Sequence, residues 1–507
     1  MRITNYLIVS LLISQLSVAQ TLNDFTRLVS SDLNGSARYT SMAGAFGALG
    51  GDLTAISFNP ASSSVFLHSE LGLSTNYKNK LTESAYLNSN ATYENDDIRL
   101  DHFGGVFVFN NNNEESPWSR ISIGINFHKV IQHDQNAKID GQNSTGIDQY
   151  FLYYADGLAF ENLPLYDDET PSDVYQILGE EQGFAAQQAF LGYQGYIIDP
   201  EYLEDENTSY ESNVKYQNVN HQVDIVNKGW HKKTSLNLSG LYKNLIHLGV
   251  NVNFHKVFLN HSQTLFETNQ DKTSPTYNIN FYDEVVTFGN GISTQIGAIL
   301  KLKNIRLGAT YDSPQWITLA DETEQSISAF HYEGGLNIKE EIKPNITNFY
   351  EEYQLKIPSK TTLSFAYLFG NKGLISIDYS NQNLSNSSYK DQFGSNYLNE
   401  VSQEIKSRFD SVNTLKVGGE FRFKDISLRA GFLNQNAYQR KSTSNNTAIT
   451  LGLGLDFGSS SLSLSLVNFE QSKEYELYSE GLTDVYALNQ NLTQFTVSYN
   501  FKLLSLD

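Results

Sequence analysis

Hydrophobic residues recur at every second position in many separate stretches of this 507-residue chain. Ile121, Ile123, Ile125 and Phe127 alternate with Ser122, Gly124, Asn126 and His128. Leu248, Val250, Val252 and Phe254 alternate with His247, Gly249, Asn251, Asn253 and His255. The same period carries Ile305, Leu307, Ala309 and Tyr311, then Leu415, Val417, Gly419, Phe421 and Phe423, then Leu451, Leu453, Leu455 and Phe457. It closes with Phe495, Val497, Tyr499 and Phe501. Alternation of period two predicts half-buried β-strands. About fifteen candidates fall near 65–78, 84–94, 101–110, 119–132, 232–243, 245–260, 290–303, 304–317, 353–369, 372–384, 412–424, 425–438, 446–458, 460–470 and 491–501.

A soluble sandwich would bury the apolar face between two sheets. A membrane barrel would turn it to lipid and keep the Gly-, Ser- and Asn-rich face for a lumen. Segment length favours the barrel, since about 9–11 tilted residues cross a bilayer. So does the rhythm of connections, with tight turns near Asn244, Asn304, Asp425 and Ser459 alternating with long acidic loops. Single-chain barrels have an even strand number, so one early candidate is expected to drop out, leaving about 14. The predicted fold is all-β, an antiparallel transmembrane barrel. Residues 133–230 form one long loop between two strong strands, and a loop of that length is expected to carry structure or function. Within it, Gly183–Asp199 has helical composition, and Phe184, Phe190, Leu191 and Tyr193 offer an apolar face for packing or for capturing a hydrophobic ligand.

Composition narrows the functions. Lys and Arg total 35 against 56 Asp and Glu, a net charge of −21, which argues against nucleic acid as a partner. There is no Cys, which excludes thiolate catalysis and Cys-ligated metals. Tyr (31) and Phe (30) are abundant, as the aromatic girdles of a barrel require. A mean hydropathy of −0.38 is too low for a bundle of membrane helices. At the N-terminus, Arg2, the apolar run Tyr6–Ile13 and the small-x-small site Ser17-Val18-Ala19 read as a signal peptide over 1–19, cleaved near Ala19/Gln20. The apolar run is too short to span a bilayer.

Catalytic patterns are missing. No G-x-S-x-G elbow and no H-E-x-x-H occurs, and the ten His are scattered. Gly452–Gly458 lies inside a strand, where small lumen-facing residues explain its glycines better than a nucleotide loop does. No enzyme, cofactor or metal is expected. Acidic runs such as Asp167–Thr170 read as solvated loop charge.

The stretch Gly44–Ser62, GAFGALGGDLTAISFNPAS, is followed by no Lys-Ser/Thr and sits in no βαβ unit, so it is no phosphate loop. Its small residues suit a segment threaded inside a barrel. With Asp52, Asn59, Pro60 and Ala61, and with Arg306–Pro314, Lys356–Phe369, Leu415–Phe432 and Thr493–Leu503, the chain resembles the FadL family of Gram-negative outer-membrane transporters for hydrophobic compounds. Ser62 replaces the usual Gly, and six residues follow Phe501 where a terminal aromatic is usual.

The resemblance implies a hatch over 20–64 inside a barrel over 65–507, with 133–230 extracellular, and uptake of fatty acid-like or aromatic molecules by lumen binding and lateral release. A transport-inactive scaffold or secretion component of the outer membrane is the alternative. Partners would be a hydrophobic small molecule and outer-membrane lipid, with the chain a monomer. Alternation points Arg306, Lys416, Arg422 and Arg429 inward. They could hold a ligand carboxylate, or pair with Asp312, Glu420, Asp378 and Asp456 to brace the barrel.

Overall fold

The computed structural model describes residues 22–113, 115–442 and 444–503; the expected signal peptide and its cleavage site lie outside them. Fourteen antiparallel strands follow one another around a ring: β1 (Glu70–Tyr86), β2 (Ser89–Asn110), β3 (Trp118–Gln132), β4 (Val219–Tyr242), β5 (Ile246–Asn269), β6 (Thr276–Leu302), β7 (Ile305–Asp312), β8 (Lys360–Leu368), β9 (Gly373–Asn383), β10 (Ser411–Phe423), β11 (Ile426–Gln435), β12 (Asn446–Asp456), β13 (Ser460–Glu476) and β14 (Val485–Lys502). The last strand pairs with the first, from Glu70↔Lys502 to Tyr86↔Tyr486, so the sheet closes into a barrel. Closure leaves each strand a partner on both sides over at least part of its length, which is what a sheet in lipid requires.

The alternating faces sort themselves in an unambiguous way. Ile121, Ile123 and Ile125 are 44–50% exposed on the outside, while Ser122 and Asn126 are fully buried inside. Leu248, Val250, Val252 and Phe254 repeat this on β5, with Asn251 and Asn253 inside. A sandwich would bury the apolar row; here it forms an outward belt. The turn between β4 and β5 holds Lys243 and Asn244 at φ 48° and 55°, the paired left-handed conformation that matches strand twist in two-residue hairpins.

Three expected strands need correction. The candidate near 84–94 straddles a hairpin tip, where Leu87 takes φ 51°, and its halves belong to β1 and β2. The candidates 304–317 and 353–369 each break, at Ser313-Pro314 and Pro358-Ser359. Proline has no N–H for the ladder, so β7 stops at Asp312 and a new strand, Gln315–Glu333, continues above it. Tyr353–Ile357 likewise sits above β8.

Long connections gather at one end. The 133–230 loop contains helices α3 (Asp148–Ala155), α4 (Pro171–Glu181) and α5 (Phe184–Gln194). They share a core with Tyr86, Val223, Leu265, Phe281 and Tyr486 of the strand ends, so the loop is a packed cap. At the same end, α1 (Leu22–Val29) packs on α6 (Asn396–Arg408) and its surroundings, with Phe25 against Phe409 at 4.8 Å, edge to face. Among the described residues no helix is long and apolar enough to cross a membrane, which says nothing of crossing by strands.

Candidate functional site

From α1 the chain descends inside the barrel. Residues 30–66 form α2 (Ala37–Ser41) and two 3-10 turns, Thr54–Ser57 and Pro60–Val65, wholly within the ring of strands. Irregular backbone buried in this way needs partners for its N–H and C=O groups. Wall side chains supply them. Asp101 accepts from the Gly35 amide at 2.7 Å and Asp378 from Gly47 at 2.9 Å. Asn237 and Asn251 donate to the carbonyls of Pro60 and Ile56, at 2.9 and 2.8 Å.

The Asp-Asn-Pro-Ala residues organise this segment locally. Asp52 accepts from the Thr54 amide at 2.9 Å and from the Ser36 hydroxyl at 2.7 Å. Ser36 itself caps α2. Asn59 accepts from the Ala61 amide at 3.0 Å and donates to Gly47 O at 2.6 Å, with Pro60 opening the following turn. The wall is cut away to receive them. A Cβ on Gly297 would strike the Asn59 amide oxygen, and one on Gly249 would strike the Pro60 carbonyl. Gly418 and Gly431 leave 2.6 and 2.5 Å to the Met42 backbone, and Gly452 faces Ser41.

The four cations that alternation points inward occupy different settings. Arg306 donates to Leu49 O at 2.6 Å. Arg422 and Arg429 both reach Glu420, at 2.9 and 2.8 Å, and Arg38 of α2 joins them at 3.0 Å. Of the other inward acids, Asp312 faces Lys360 at 3.6 Å and Asp456 faces Lys502 at 3.4 Å. Lys416 has no carboxylate within ion-pair distance among the described residues. Its ammonium lies over the rings of Phe58 and Tyr39, at 5.4 and 5.9 Å.

Lys416 lines a cavity of about 170 Å³ between residues 28–33 and the aromatics of the inner segment. Phe58 forms the floor, stacked on Tyr39 at 4.8 Å and edge-on to His128 at 5.3 Å. Lys233 approaches the same ring at 5.2 Å and donates to Ser57 O. Leu28, Val130, Ile357, Val412 and Leu433 give the cavity apolar patches in a lining that is otherwise mostly polar, with His231, His255, Gln295, Gln382 and Thr414 in it. The Tyr39 hydroxyl and His128 Nδ1 are covered by protein on all sides and have no hydrogen-bond partner among the described residues. Sequence reasoning missed Phe58, His128 and Lys233. Parity would have found His128 and Lys233, since the outward row Leu236 and Leu238 puts Lys233 on the inner face, whereas Phe58 lies in an irregular segment to which parity does not apply.

One seam of the wall lacks strand pairing among the described residues. β2 pairs with β1 from Ser89 to Val106, but with β3 only from His102 to Asn110. From Ser89 to Asp101 no described strand pairs with its other edge. The chain after β3 re-forms as Gln135–Asn143 and pairs with β4 instead. β3 carries a bulge between Lys129 and Ile131, and side chains alone cross the break: Arg99 to Asp134, and Asn136 to the Tyr93 hydroxyl at 3.1 Å. Behind the break lies the start of the inner segment, where Lys78 binds Asp32 at 3.1 Å and Asn34 at 2.7 Å. Burial works against charge at Asp32. Lys78, Lys80 and Lys473 overcome it and hold the carboxyl at about 2, below the ordinary 3.8.

In the cap, Phe190 and Leu191 of α5 are fully buried, while Phe184 and Tyr193 are partly buried against Tyr154 and Phe160. Among the described residues no group of three or more His, Asp or Glu is placed to hold a metal ion.

The architecture is that of the FadL-like barrels. A Pseudomonas aeruginosa FadL homologue matches over 93% of this chain and 99% of its own, with a TM-score of 0.54 and 12% identity. The Pseudomonas putida toluene transporter TodX matches over 94% and 100%, with a TM-score of 0.51 and 12% identity. The CymD monoaromatic hydrocarbon channel gives 94% and 100%, 0.51 and 10%. Identity this low speaks for the fold alone. No family model and no curated protein matches the sequence.

Proposed function

We propose that this protein is an outer-membrane channel that takes up hydrophobic small molecules through the lumen and releases them sideways into the bilayer. One observation carries the reading: the lumen of a barrel with an apolar exterior holds a cavity in which Lys416, with no ion-pair partner among the described residues, stands over the Phe58 ring beside the apolar patches of a mostly polar lining. A hydrophobic solute gains nothing from a water-filled pore but gains free energy on entering lipid, about 25 cal/mol per Å² of apolar surface. The volume suits about one benzene-sized ring. A longer chain would have to displace α1, whose last turn forms the upper side.

In this reading the short turns are periplasmic and the cap extracellular. Residues 20–64 act as the hatch, and 1–19 direct export. Phe184 and Tyr193 offer solute the accessible part of α5. Lys416 receives an anionic or polar head. Arg306, Arg422 and Arg429 hold the hatch and its wall in place. Exit runs through the break between β2 and β3. The barrel works as a monomer, and we assign it no reaction. That two structural neighbours are described as toluene and monoaromatic hydrocarbon channels supports a small apolar substrate.

The test is structural: the purified protein crystallised with an excess of an alkylbenzene or a medium-chain carboxylate. Ligand density above Phe58, with any carboxylate turned to Lys416, supports the reading. A cavity that stays filled by ordered water at saturating ligand overturns it.

A further inference from the structure

The outer surface carries one feature that transport through the lumen does not use. On β4 the outward positions run Leu238, Leu236, Thr234, Lys232, Trp230, Lys228 from the short-turn end upward. On β5 they run Leu248, Val250, Val252, Phe254, Lys256, Phe258. Lys232 and Lys256 are directly paired across the two strands. Both therefore stand at the upper edge of the apolar belt, on the cap side. Phe258 and Phe288 follow immediately, with rings 5.5 Å apart, and Trp230 joins them at 6.1 Å from Phe258. This is the aromatic girdle that marks a membrane–water interface.

Two like charges opposite each other in a sheet are destabilising. Here no carboxylate lies within ion-pair distance of either lysine among the described residues, although the chain has 56 acidic residues and a net charge of −21. The Lys232 ammonium rests 3.7 Å from the centroid of the Trp230 ring, which holds it at a fixed height on the wall. On β3 the register partner of Lys232 is Lys129, whose side chain is buried, and Arg99, at the rim of the β2–β3 break, is paired with Asp97 and Asp134. An unneutralised cation pair at the head-group level, with apolar rows below it, is complementary to an anionic lipid.

We propose that Lys232 and Lys256, with Trp230, form a binding site for the phosphate of an anionic lipid in the outer leaflet, whose acyl chains lie along Leu236, Leu238, Val252 and Phe254. The inference rests on the outer-membrane reading above. A lipid seated there lies on the wall strands next to the break, where released solute would enter the bilayer.

The experiment uses the full mature chain in detergent. Native mass spectrometry follows titration with bisphosphorylated lipid A, with phosphatidylcholine and with inorganic phosphate alone. The wild type should retain lipid A in preference to phosphatidylcholine, increasingly so at low salt. The double variant Lys232→Gln/Lys256→Gln should lose roughly 30-fold in lipid A affinity, the expectation for two cations at an anionic surface. Lys232→Arg/Lys256→Arg should restore it. Equal retention by wild type and the Gln variant, no preference over phosphatidylcholine, or inorganic phosphate binding as tightly as the lipid would each overturn the site. Fractionation of the same cells keeps the two readings apart. Wild type in the outer membrane with unchanged lipid binding in the Gln variant removes only this site, while wild type absent from that membrane removes the location itself.

Discussion

Gly297 of β6 lies directly against the Asn59 side chain of the inner segment, so closely that a Cβ at 297 would overlap the Asn59 amide oxygen. Gly249 stands in the same relation to Pro60, and Gly308 to Gly47. The inner segment is thus seated on bare wall backbone. Gly297→Ala should unseat the Asn59–Ala61 turn at about 1–3 kcal/mol, the usual cost of overpacking. The barrel should still form. Limited proteolysis should cut within 44–66 faster in the variant, and the heat-modified gel shift should occur at lower temperature.

Glu420 gathers Arg38, Arg422 and Arg429, and its side chain is 1% exposed. Removing one member of a buried pair costs about 3–5 kcal/mol, because the remaining charge is left uncompensated. Glu420→Gln should therefore destabilise the barrel more than Arg422→Gln, since Arg422 is half exposed. Denaturant melts of the two variants check the order, and equal midpoints would contradict it.

The Asp32–Lys78 contact ties the start of the inner segment to β1 behind the wall break. Because the Asp32 carboxyl is held at about 2 against an ordinary 3.8, its contribution is complete above the ordinary value and fades as pH falls through about 2. Amide exchange of Leu33–Gly35 should stay slow at pH 4 and accelerate below pH ~2. Asp32→Asn should exchange fast at both, without that step.

Much of the fold was legible because a barrel wall has a strict period and two chemically opposite sides. Leu307, Ala309 and Tyr311 fall outside and Arg306, Gly308 and Asp312 inside, as alternation requires. The breaks at Pro314 and Pro358 were missed because apolar alternation resumes on the far side of each proline. The candidate at 84–94 failed because alternation continues through the Leu87 tip. Inward parity identified Lys416 and Arg429 alike, yet could not say that one faces Phe58 and the other Glu420. That depends on where the inner segment crosses the lumen. Phe190 and Leu191 showed an apolar helix face, but not that strand ends 265–281 would cover it.

If the proposed channel is right, Lys416 and the wall break should make separable contributions to transport. Lys416→Met keeps the apolar stem and removes the charge. It should lower uptake of a medium-chain carboxylate about tenfold, the scale of one lost charged hydrogen bond, and leave an alkylbenzene unaffected. Equal losses for both solutes would assign Lys416 to structure instead.

The native chain has no Cys, so Arg99→Cys/Asp134→Cys introduces the only thiols. A bifunctional cleavable maleimide should bridge them across the break and stop uptake of both solutes, with full recovery on cleavage. Uptake that continues through the bridged wall would rule out lateral exit there.

The central claim is tested most directly by accumulation of a labelled alkylbenzene in cells whose outer membrane lacks any other such channel. With this protein present, uptake should rise in proportion to folded barrel in the outer membrane and saturate with solute. Uptake equal to that of cells without the protein, with the barrel correctly folded and located, would contradict it.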